Sequence, residues 1–215
     1  MTETIKQRKG RTKNAIFEIK SIIEDTRMLV IGGALGAIDI FELAVIPMLL
    51  HNCDTWCEIN EKDTTELEEL QILFYNILFQ VPSSCPKPAG TWETGSLLME
   101  NRIACKKLNL GKYIQQQKET ELSHQVFNEQ LKHNYPGLAK ECLELAKDFD
   151  IGEEYGDINT NTKRFRVVNK NKTLLKNETQ MRNKIKRLKK SLLGPLRSDS
   201  DNQVSVTLNG KRDNC

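Results

Sequence analysis

The sequence predicts an all-α protein: an irregular bundle of about five to six helices, a separate basic C-terminal helix and disordered tails. Three observations predict this class. Six prolines and twelve glycines in 215 residues are too few for a protein built from strands and tight turns. Leu, Ile, Lys and Glu are plentiful and aromatic residues make up only 6%, a composition that favours helices. Apolar residues also recur at helical spacing in several segments.

The N-terminal part predicts a flexible lead followed by two helices. Residues 1–11 are polar and basic, and a helix from residue 12 to about 27 carries its apolar residues at helical spacing. Gly32 and Gly33 predict a break. A second helix is predicted over about 34–50, with a kink at Pro47, which removes one backbone hydrogen bond.

The middle of the chain completes a helical domain predicted over residues 12–150. After an acidic loop, Asp63 or Thr65 is predicted to cap a helix with a clean apolar stripe. The stripe consists of Leu67, Leu70, Phe74, Ile77, Leu78 and Val81. The run "VPSSCPKPAG" predicts an extended loop, and Ser96 is the predicted cap of the next helix, with a possible bend at Gly111. Two further helices are predicted over about 122–132 and after Pro136.

The C-terminal part divides into three predicted segments. Residues 151–171 are polar and Asn-rich, which predicts a linker. Residues 172–193 form a basic amphipathic helix, and residues 194–215 a disordered tail. The apolar stripe of that helix consists of Leu174, Met181, Ile185, Leu188 and Leu192.

The most apolar stretch, residues 28–52, raises three alternatives. A membrane span is disfavoured because Asp39 and Glu42 lie near its middle, where each acid costs up to about 3 kcal/mol. A nucleotide-binding loop is disfavoured because Gly32, Gly33 and Gly36 do not match the Gly-x-Gly-x-x-Gly spacing. The remaining interpretation is a pair of packed core helices.

No catalytic or metal-binding motif stands out. Cys53 near His51 suggests a thiol nucleophile, but a buried cysteine at a helix end is the stronger interpretation. Asp39 and Glu42 have the spacing of a metal pair, yet no further acids complete a site, and they are better interpreted as the polar edge of a helix. We therefore predict no cofactor, no metal and no enzymatic activity.

Charge is strongly segregated along the chain. Residues 163–190 carry twelve Lys and Arg, with Glu178 the only acid, although the net charge of the chain is only +3. Such a cluster favours a polyanionic partner through salt-sensitive phosphate contacts. The alternatives are the solvated face of a partner-binding helix, or a nuclear import signal. The chain opens without a secretory signal pattern, so an intracellular location, nuclear or cytoplasmic, is expected.

The order of several segments resembles the thumb and connection region of non-LTR (LINE-like) retrotransposon reverse transcriptases. "AIFEIKSIIEDTRMLVIGGALGAIDIFELAVIPMLLHNCDTW" is similar to the region after the polymerase core, with Asn52 and Trp56 in matching places. "LEELQILFYNILFQVPSSCPKP", "ETGSLLMENRIACKKLNL", "YPGLAKEC" and "NETQMRNKIKRLKK" resemble the pieces that follow. The resemblance covers about residues 10–190.

The resemblance implies a non-catalytic fragment. The family polymerase needs a Tyr/Phe-x-Asp-Asp turn, and this chain has no Asp-Asp dipeptide; the expected zinc knuckle after Lys190 is also missing. The implied role is to grip template–primer nucleic acid, RNA or RNA–DNA duplex, through backbone contacts of low specificity. The candidate contacts, chosen by charge, are Lys106, Lys107, Lys163, Arg164, Lys184, Lys186, Arg187, Lys189 and Lys190.

The alternative function is a host-used helical protein-interaction module that has no nucleic-acid role. It would bind through the apolar stripe of the last helix. Self-association through exposed apolar faces is a further expectation, because a fragment lacks the polymerase body that would cover them.

Overall fold

A computed structural model of the chain describes residues 2–25, 31–56, 59–82, 86, 88–157 and 159–208, and regular structure in these ranges is helical. The all-α class is thereby confirmed. The α-helices are α1 (Thr2–Asp25), α2 (Ile31–Ile40), α3 (Ile46–Leu49), α4 (Glu61–Leu78), α5 (Pro88–Thr94), α6 (Met99–Gln115), α7 (Leu122–His133), α8 (Leu138–Asp148), α9 (Gly152–Gly156) and α10 (Thr162–Leu208). In the ranges described, we find no helix long and apolar enough to cross a bilayer.

Helix α1 begins at Thr2, so the prediction of a flexible lead over residues 1–11 was wrong. The reason is that its basic side chains are anchored to the body. Lys9 forms a 2.7 Å ion pair with Glu66 of α4, and the Arg8 guanidinium lies 5.1 Å above the Trp56 ring. Thr12 is buried one turn later.

Helices α2 and α3 form one continuous rod with a π-helical turn, Phe41–Val45, between them. The backbone N–H of Ile46 bonds to the carbonyl of Phe41, one residue further back than in an α-helix. This wider turn directly precedes Pro47, whose ring would crowd the preceding carbonyls of a regular α-helix. Gly32 and Gly33 lie inside α2; the break predicted there falls next to residues 26–30, which lie outside the described residues.

The first hydrophobic core lies between α1, the α2–α3 rod, α4 and the start of α6. The predicted stripe of α4 supplies Leu67, Leu70, Phe74 and Leu78, all buried. The Phe41 and Phe74 rings stack with centroids 3.9 Å apart. Asn60, rather than Asp63 or Thr65, caps α4: its side-chain oxygen accepts the Asp63 N–H at 2.8 Å.

Helix α6 starts at Met99 without a cap from its own sequence, so Ser96 is not the cap that was predicted. Two other helices supply acceptors to its first amides. Glu68 of α4 accepts the Met99 N–H, and Asn177 of α10 accepts the Leu98 N–H at 2.8 Å. Ser96 instead joins a buried network with Tyr75.

A second core lies between α6, α8, α9 and the start of α10. Its members include Ile151, Tyr155 and Phe165, all buried. These residues contradict the linker predicted over 151–171. The polar residues between them form local turns and caps instead: Asn161 accepts the Arg164 N–H at 2.8 Å, and Asp157 accepts the Thr160 hydroxyl at 2.7 Å.

Helix α10 is therefore neither separate from the body nor confined to residues 172–193. It packs against α6 and α5, and its backbone is helical through residues 194 and 195 to Leu208. The polar tail was predicted to be disordered, but Ser, Asp and Asn lower helix propensity by only about 0.7 kcal/mol per residue. The remainder of the predicted tail, residues 209–215, lies outside the described residues.

Candidate nucleic-acid interface

Helix α10 lies antiparallel to α6 and is fixed to it by buried side chains spaced four residues apart. These are Phe165, Asn169, Thr173, Asn177 and Met181. Residues four positions apart lie on the same face of a helix, so these five side chains form the face of α10 that packs on α6. Most cations of α10 therefore lie on the opposite, outward face.

Two asparagines of that stripe make the specific contacts. The Asn169 amide donates to the Cys105 carbonyl and to the Asn109 side chain, both at 3.0 Å. The Asn177 amide nitrogen donates to the Ser96 carbonyl at 3.1 Å, while its oxygen caps α6. Because each amide satisfies buried backbone groups, these bonds set the register of α10 on α6.

The part of α10 beyond Met181 carries the densest positive charge, and we call residues 182–190 the basic arm. All six of its cations are exposed, and five of them lie beyond Arg182: Lys184, Lys186, Arg187, Lys189 and Lys190. At 3.6 residues per turn they span about 220° of the helix circumference. The half-buried Ile185 and Leu188 occupy the remaining sector, which faces the body.

None of these five cations has a carboxylate within 4.0 Å in the part of the chain that the structure describes. The arm's sixth cation, Arg182, pairs with Glu178 at 2.7 Å. Other cations of α10 are likewise engaged: Lys172 with Asp150 at 2.7 Å, and Lys176 with Asp148 at 3.8 Å. Lys163, Arg164, Arg166 and Lys170, nearer the start of α10, are also exposed without such a carboxylate in the described chain, so the arm is the denser of two unpaired groups of cations on this helix.

The remaining predicted contacts lie elsewhere. Lys163 and Arg164 are exposed at the start of α10, about 30 Å along the helix from the arm. Lys106 is exposed on α6, with its ammonium donating to the Leu50 carbonyl at 3.2 Å. Lys107 is buried and its ammonium is paired with Glu141, so it presents no free cation. The structure therefore does not gather the predicted residues into a single surface.

A buried lysine escaped the sequence analysis. Lys112 is fully buried, and its ammonium donates to the carbonyls of Glu154, Tyr155 and Asp157 at 3.1, 3.0 and 2.7 Å. Burial lowers the pKa of Lys112, although the Asp157 charge acts in the opposite direction. The signal that could have identified it is its position one turn after Leu108, on the buried face of α6.

The candidate catalytic and metal-binding residues have structural contacts. Glu42 is bonded to Arg102 and Asp39 is exposed, so the two acids do not converge. Burial raises the pKa of Cys53 to about 11, which disfavours the reactive thiolate at neutral pH. Among the residues whose placement is described, no three His, Cys, Asp or Glu side chains come together as a metal site.

Comparisons with known proteins identify no relative of this chain. No protein-family model, curated protein or solved structure matches this chain. What the structure itself defines is a class: an all-α protein whose two cores share the helix α6 and whose last helix projects a basic arm.

Proposed function

We propose that this chain is a non-catalytic helical module that grips the phosphate backbone of RNA or an RNA–DNA duplex through its basic arm. The observation that carries the proposal is the set of five unpaired, exposed cations on residues 182–190. They sit on a helix whose first half packs against α6 and α5, so the charge is attached to the body of the protein.

Phosphate backbones suit this arrangement for a physical reason. Each cation that neutralises a phosphate releases a condensed counterion, and affinity falls as salt rises by about 0.9 logarithmic units per contact in duplex DNA. Five contacts predict a slope of about −4 to −5 in a plot of log affinity against log salt. No side chain is needed to contact a base edge, so low sequence specificity is expected.

The resemblance to the thumb and connection region of non-LTR reverse transcriptases supports the same role. That region would hold a template–primer duplex without performing chemistry. The absence of an Asp-Asp dipeptide from the sequence supports the non-catalytic part of the proposal. Primer extension by the purified chain would contradict it.

The binding experiment is fluorescence anisotropy with a short labelled RNA–DNA duplex at NaCl concentrations from about 50 to 300 mM. Replacement of Lys184, Lys186, Arg187, Lys189 and Lys190 by Gln is expected to remove most of the affinity and flatten the salt dependence. A matched variant replaces five exposed lysines elsewhere, so that the net charge is the same: Lys13, Lys62, Lys118, Lys132 and Lys147.

Retained affinity in the matched variant supports the arm as the contact surface. Equal losses in the two variants would show that only net charge matters and would contradict the proposal. Absence of binding at the lowest salt would reject nucleic-acid binding outright.

A second candidate function, a helical protein-interaction module, is favoured by a different surface from the one predicted. Met181 of the predicted stripe is buried within the chain. Leu174 of that stripe is exposed, but the α2–α3 rod carries the most exposed apolar side chain, Leu43 at 79%, together with the exposed Ile40 and Met48. Loss of self-association on Leu43→Glu replacement, with unchanged duplex binding, would assign association to the rod and nucleic acid to the arm.

A further inference from the structure

A groove of about 680 Å³ lies between α4, α6 and α8, on the side of the molecule where the basic arm begins. Its floor is apolar, formed by Ile59, Ile103, Ala104 and Leu145. A volume of this size is typical of ligand-binding clefts. We call it the α4–α6–α8 groove.

The walls of the groove carry an excess of negative charge. Six carboxylates line it against two lysines, Lys107 and Lys184; the acids are Glu61, Glu68, Glu100, Glu141, Glu144 and Asp148. Glu141 is paired with Lys107, Asp148 with Lys176, and Glu100 accepts the Gln180 amide at 3.1 Å.

Three of the acids remain without a cation partner in the part of the chain that the structure describes: Glu61, Glu68 and Glu144. Glu61 and Glu144 are exposed at the rim, whereas Glu68 lies inside and accepts the backbone N–H of Met99. Burial raises the pKa of Glu68 to about 7, because its carboxylate is removed from water without a charge within ion-pair distance to replace it.

The distances between these acids determine whether a single metal ion or a ligand with several cationic groups can bind them. Among the described residues, no three Asp, Glu, His or Cys side chains lie close enough together to hold one metal ion. Several separate cationic groups are therefore needed to meet them. The apolar floor adds a further requirement, since a ligand that covers it must carry apolar surface beside its charges.

The groove already accommodates two side chains of that kind. Lys107 lines the groove and pairs its ammonium with Glu141. Lys184 enters from α10, where its charge acts on Glu68. Lysine stems pack on apolar surface while their charged ends meet the acids.

We propose that the α4–α6–α8 groove binds a peptide segment of a partner protein that contains lysine or arginine together with leucine-like residues. Its apolar side chains lie over Ile103 and Leu145, one cationic end meets Glu68, and flanking basic residues meet Glu61 and Glu144. Charge complementarity over an apolar floor favours this kind of ligand. The excess of acids in the groove repels phosphate, so the proposal does not rest on the function proposed for the basic arm, although Lys184 belongs to the arm and also lines the groove.

The test uses fluorescence anisotropy of the full chain with a short labelled peptide in which pairs of lysine alternate with pairs of leucine. The comparison probe is the same peptide with glutamine in place of lysine. The lysine peptide is expected to bind, and the glutamine peptide to bind at least about tenfold more weakly. Equal binding of the two peptides would overturn the proposal.

Two sets of protein variants locate the site. Glu68→Gln keeps an acceptor for the Met99 N–H, and the double variant Glu61→Gln/Glu144→Gln changes only exposed rim residues, so both are expected to fold. Each is expected to weaken the lysine peptide several-fold. The charge-matched control Glu93→Gln/Glu119→Gln alters exposed acids outside the groove and is expected to bind normally.

Equal weakening by the control and the rim variant would show a general charge effect and overturn the proposal. Concentration-dependent self-association of the wild-type chain that the rim variant abolishes would assign the groove to a second copy instead, and would also overturn it. Duplex binding by the basic arm is measured separately in the same variants, because Lys184 belongs to the arm and also lines the groove, and neither peptide result decides it.

Discussion

Arg102 of α6 holds Glu42 of the π-helical turn through two parallel hydrogen bonds. Nη1 donates to Glu42 Oε2 at 2.7 Å and Nη2 to Oε1 at 2.6 Å, while Nε donates to the Leu97 carbonyl at 3.0 Å. The two side chains are 12% and 28% exposed. This bidentate pair ties the irregular turn before Pro47 to the central helix of the fold.

Replacement of Arg102 by Met is expected to lower the free energy of unfolding by about 2–3 kcal/mol. The Met side chain still packs where the Arg102 stem did, but among the described residues the Glu42 carboxylate keeps only the Ser96 hydroxyl, at 3.2 Å, as a side-chain donor. Urea denaturation measures the change. A double-mutant cycle with Glu42→Gln is expected to give a coupling energy above about 1 kcal/mol.

The pair Arg182 and Glu178 provides the matched comparison. It is also an Arg–Glu pair, with a 2.7 Å contact, but its side chains are 60% and 54% exposed. The same cycle there is expected to give at most about 0.5 kcal/mol. Equal coupling energies at the two pairs would show that burial does not strengthen the Arg102–Glu42 bond.

Gly111→Ala is expected to destabilise the fold by about 2–3 kcal/mol. A Cβ at Gly111 would lie 2.7 Å from the Cys142 sulfur and closer still to the Tyr155 hydroxyl oxygen. Both neighbours are buried in the second core, so they have little room to move. Thermal unfolding followed by circular dichroism tests the effect.

Gly10→Ala is the control for the Gly111 replacement, because a Cβ there meets nothing within 4 Å. Since Gly10 lies in the interior of α1, the same change should stabilise the chain by about 0.5–1 kcal/mol. A stabilising Gly111→Ala would mean that α6 does not approach α8 and α9 this closely.

The sequence predicted the parts of this fold that depend on local periodicity. The apolar stripe of α4 was predicted from residue spacing, and its Leu67, Leu70 and Phe74 are buried as expected. The dense run of cations at 184–190 was likewise apparent in the sequence, and these cations are exposed. Whether they bind nucleic acid stays a prediction.

Pairings between distant residues could not be predicted from one sequence. Glu42 and Arg102 are 60 positions apart, and nothing local marks them as partners. The same holds for Asn177, which caps α6 from 79 residues away. The Asn-rich run at 151–171 was interpreted as a linker because its composition is polar, yet Tyr155 and Phe165 give it a place in the second core.

The pH dependence of stability is expected to carry a contribution from Glu68. Burial raises the pKa of Glu68 from 4.5 to about 7 in the folded state. The Met99 N–H, Lys184 and Arg102 lower this pKa, whereas the charge of Glu100 raises it further. The native state therefore binds more protons than the unfolded state between these values. Stability from this group is full below pH 4.5 and is lost as pH rises through about 7.

The variant Glu68→Gln removes that loss. Relative to wild type, its free energy of unfolding is expected to rise by about 2–3 kcal/mol between pH 5 and pH 8. Urea denaturation at several pH values measures the difference, with Glu93→Gln as the exposed control. A difference that stays flat, or that falls with pH, would contradict the assignment to Glu68.

Lys112→Met is expected to cost about 3 kcal/mol and to loosen α9 specifically. The Met side chain fills most of the same space, but the carbonyls of Glu154, Tyr155 and Asp157 lose their shared donor. Two of these carbonyls belong to the last residues of α9, a helix of five residues that depends on this cap. The main cost is the loss of this donor at the Glu154 and Tyr155 carbonyls, since the Asp157 carbonyl still accepts the Thr160 N–H at 3.1 Å.

Hydrogen exchange read by mass spectrometry separates this local effect from global unfolding. Peptides that cover Gly152–Gly156 should exchange faster in Lys112→Met than in the wild type. In peptides from α4, the exchange rate should increase only by the amount that the loss of global stability explains. Lys118→Met replaces an exposed lysine just beyond α6 and should leave both regions unchanged. Uniform acceleration across α4 and α9 would show that Lys112 supports the whole fold rather than the end of α9, because in that case the two cores open together.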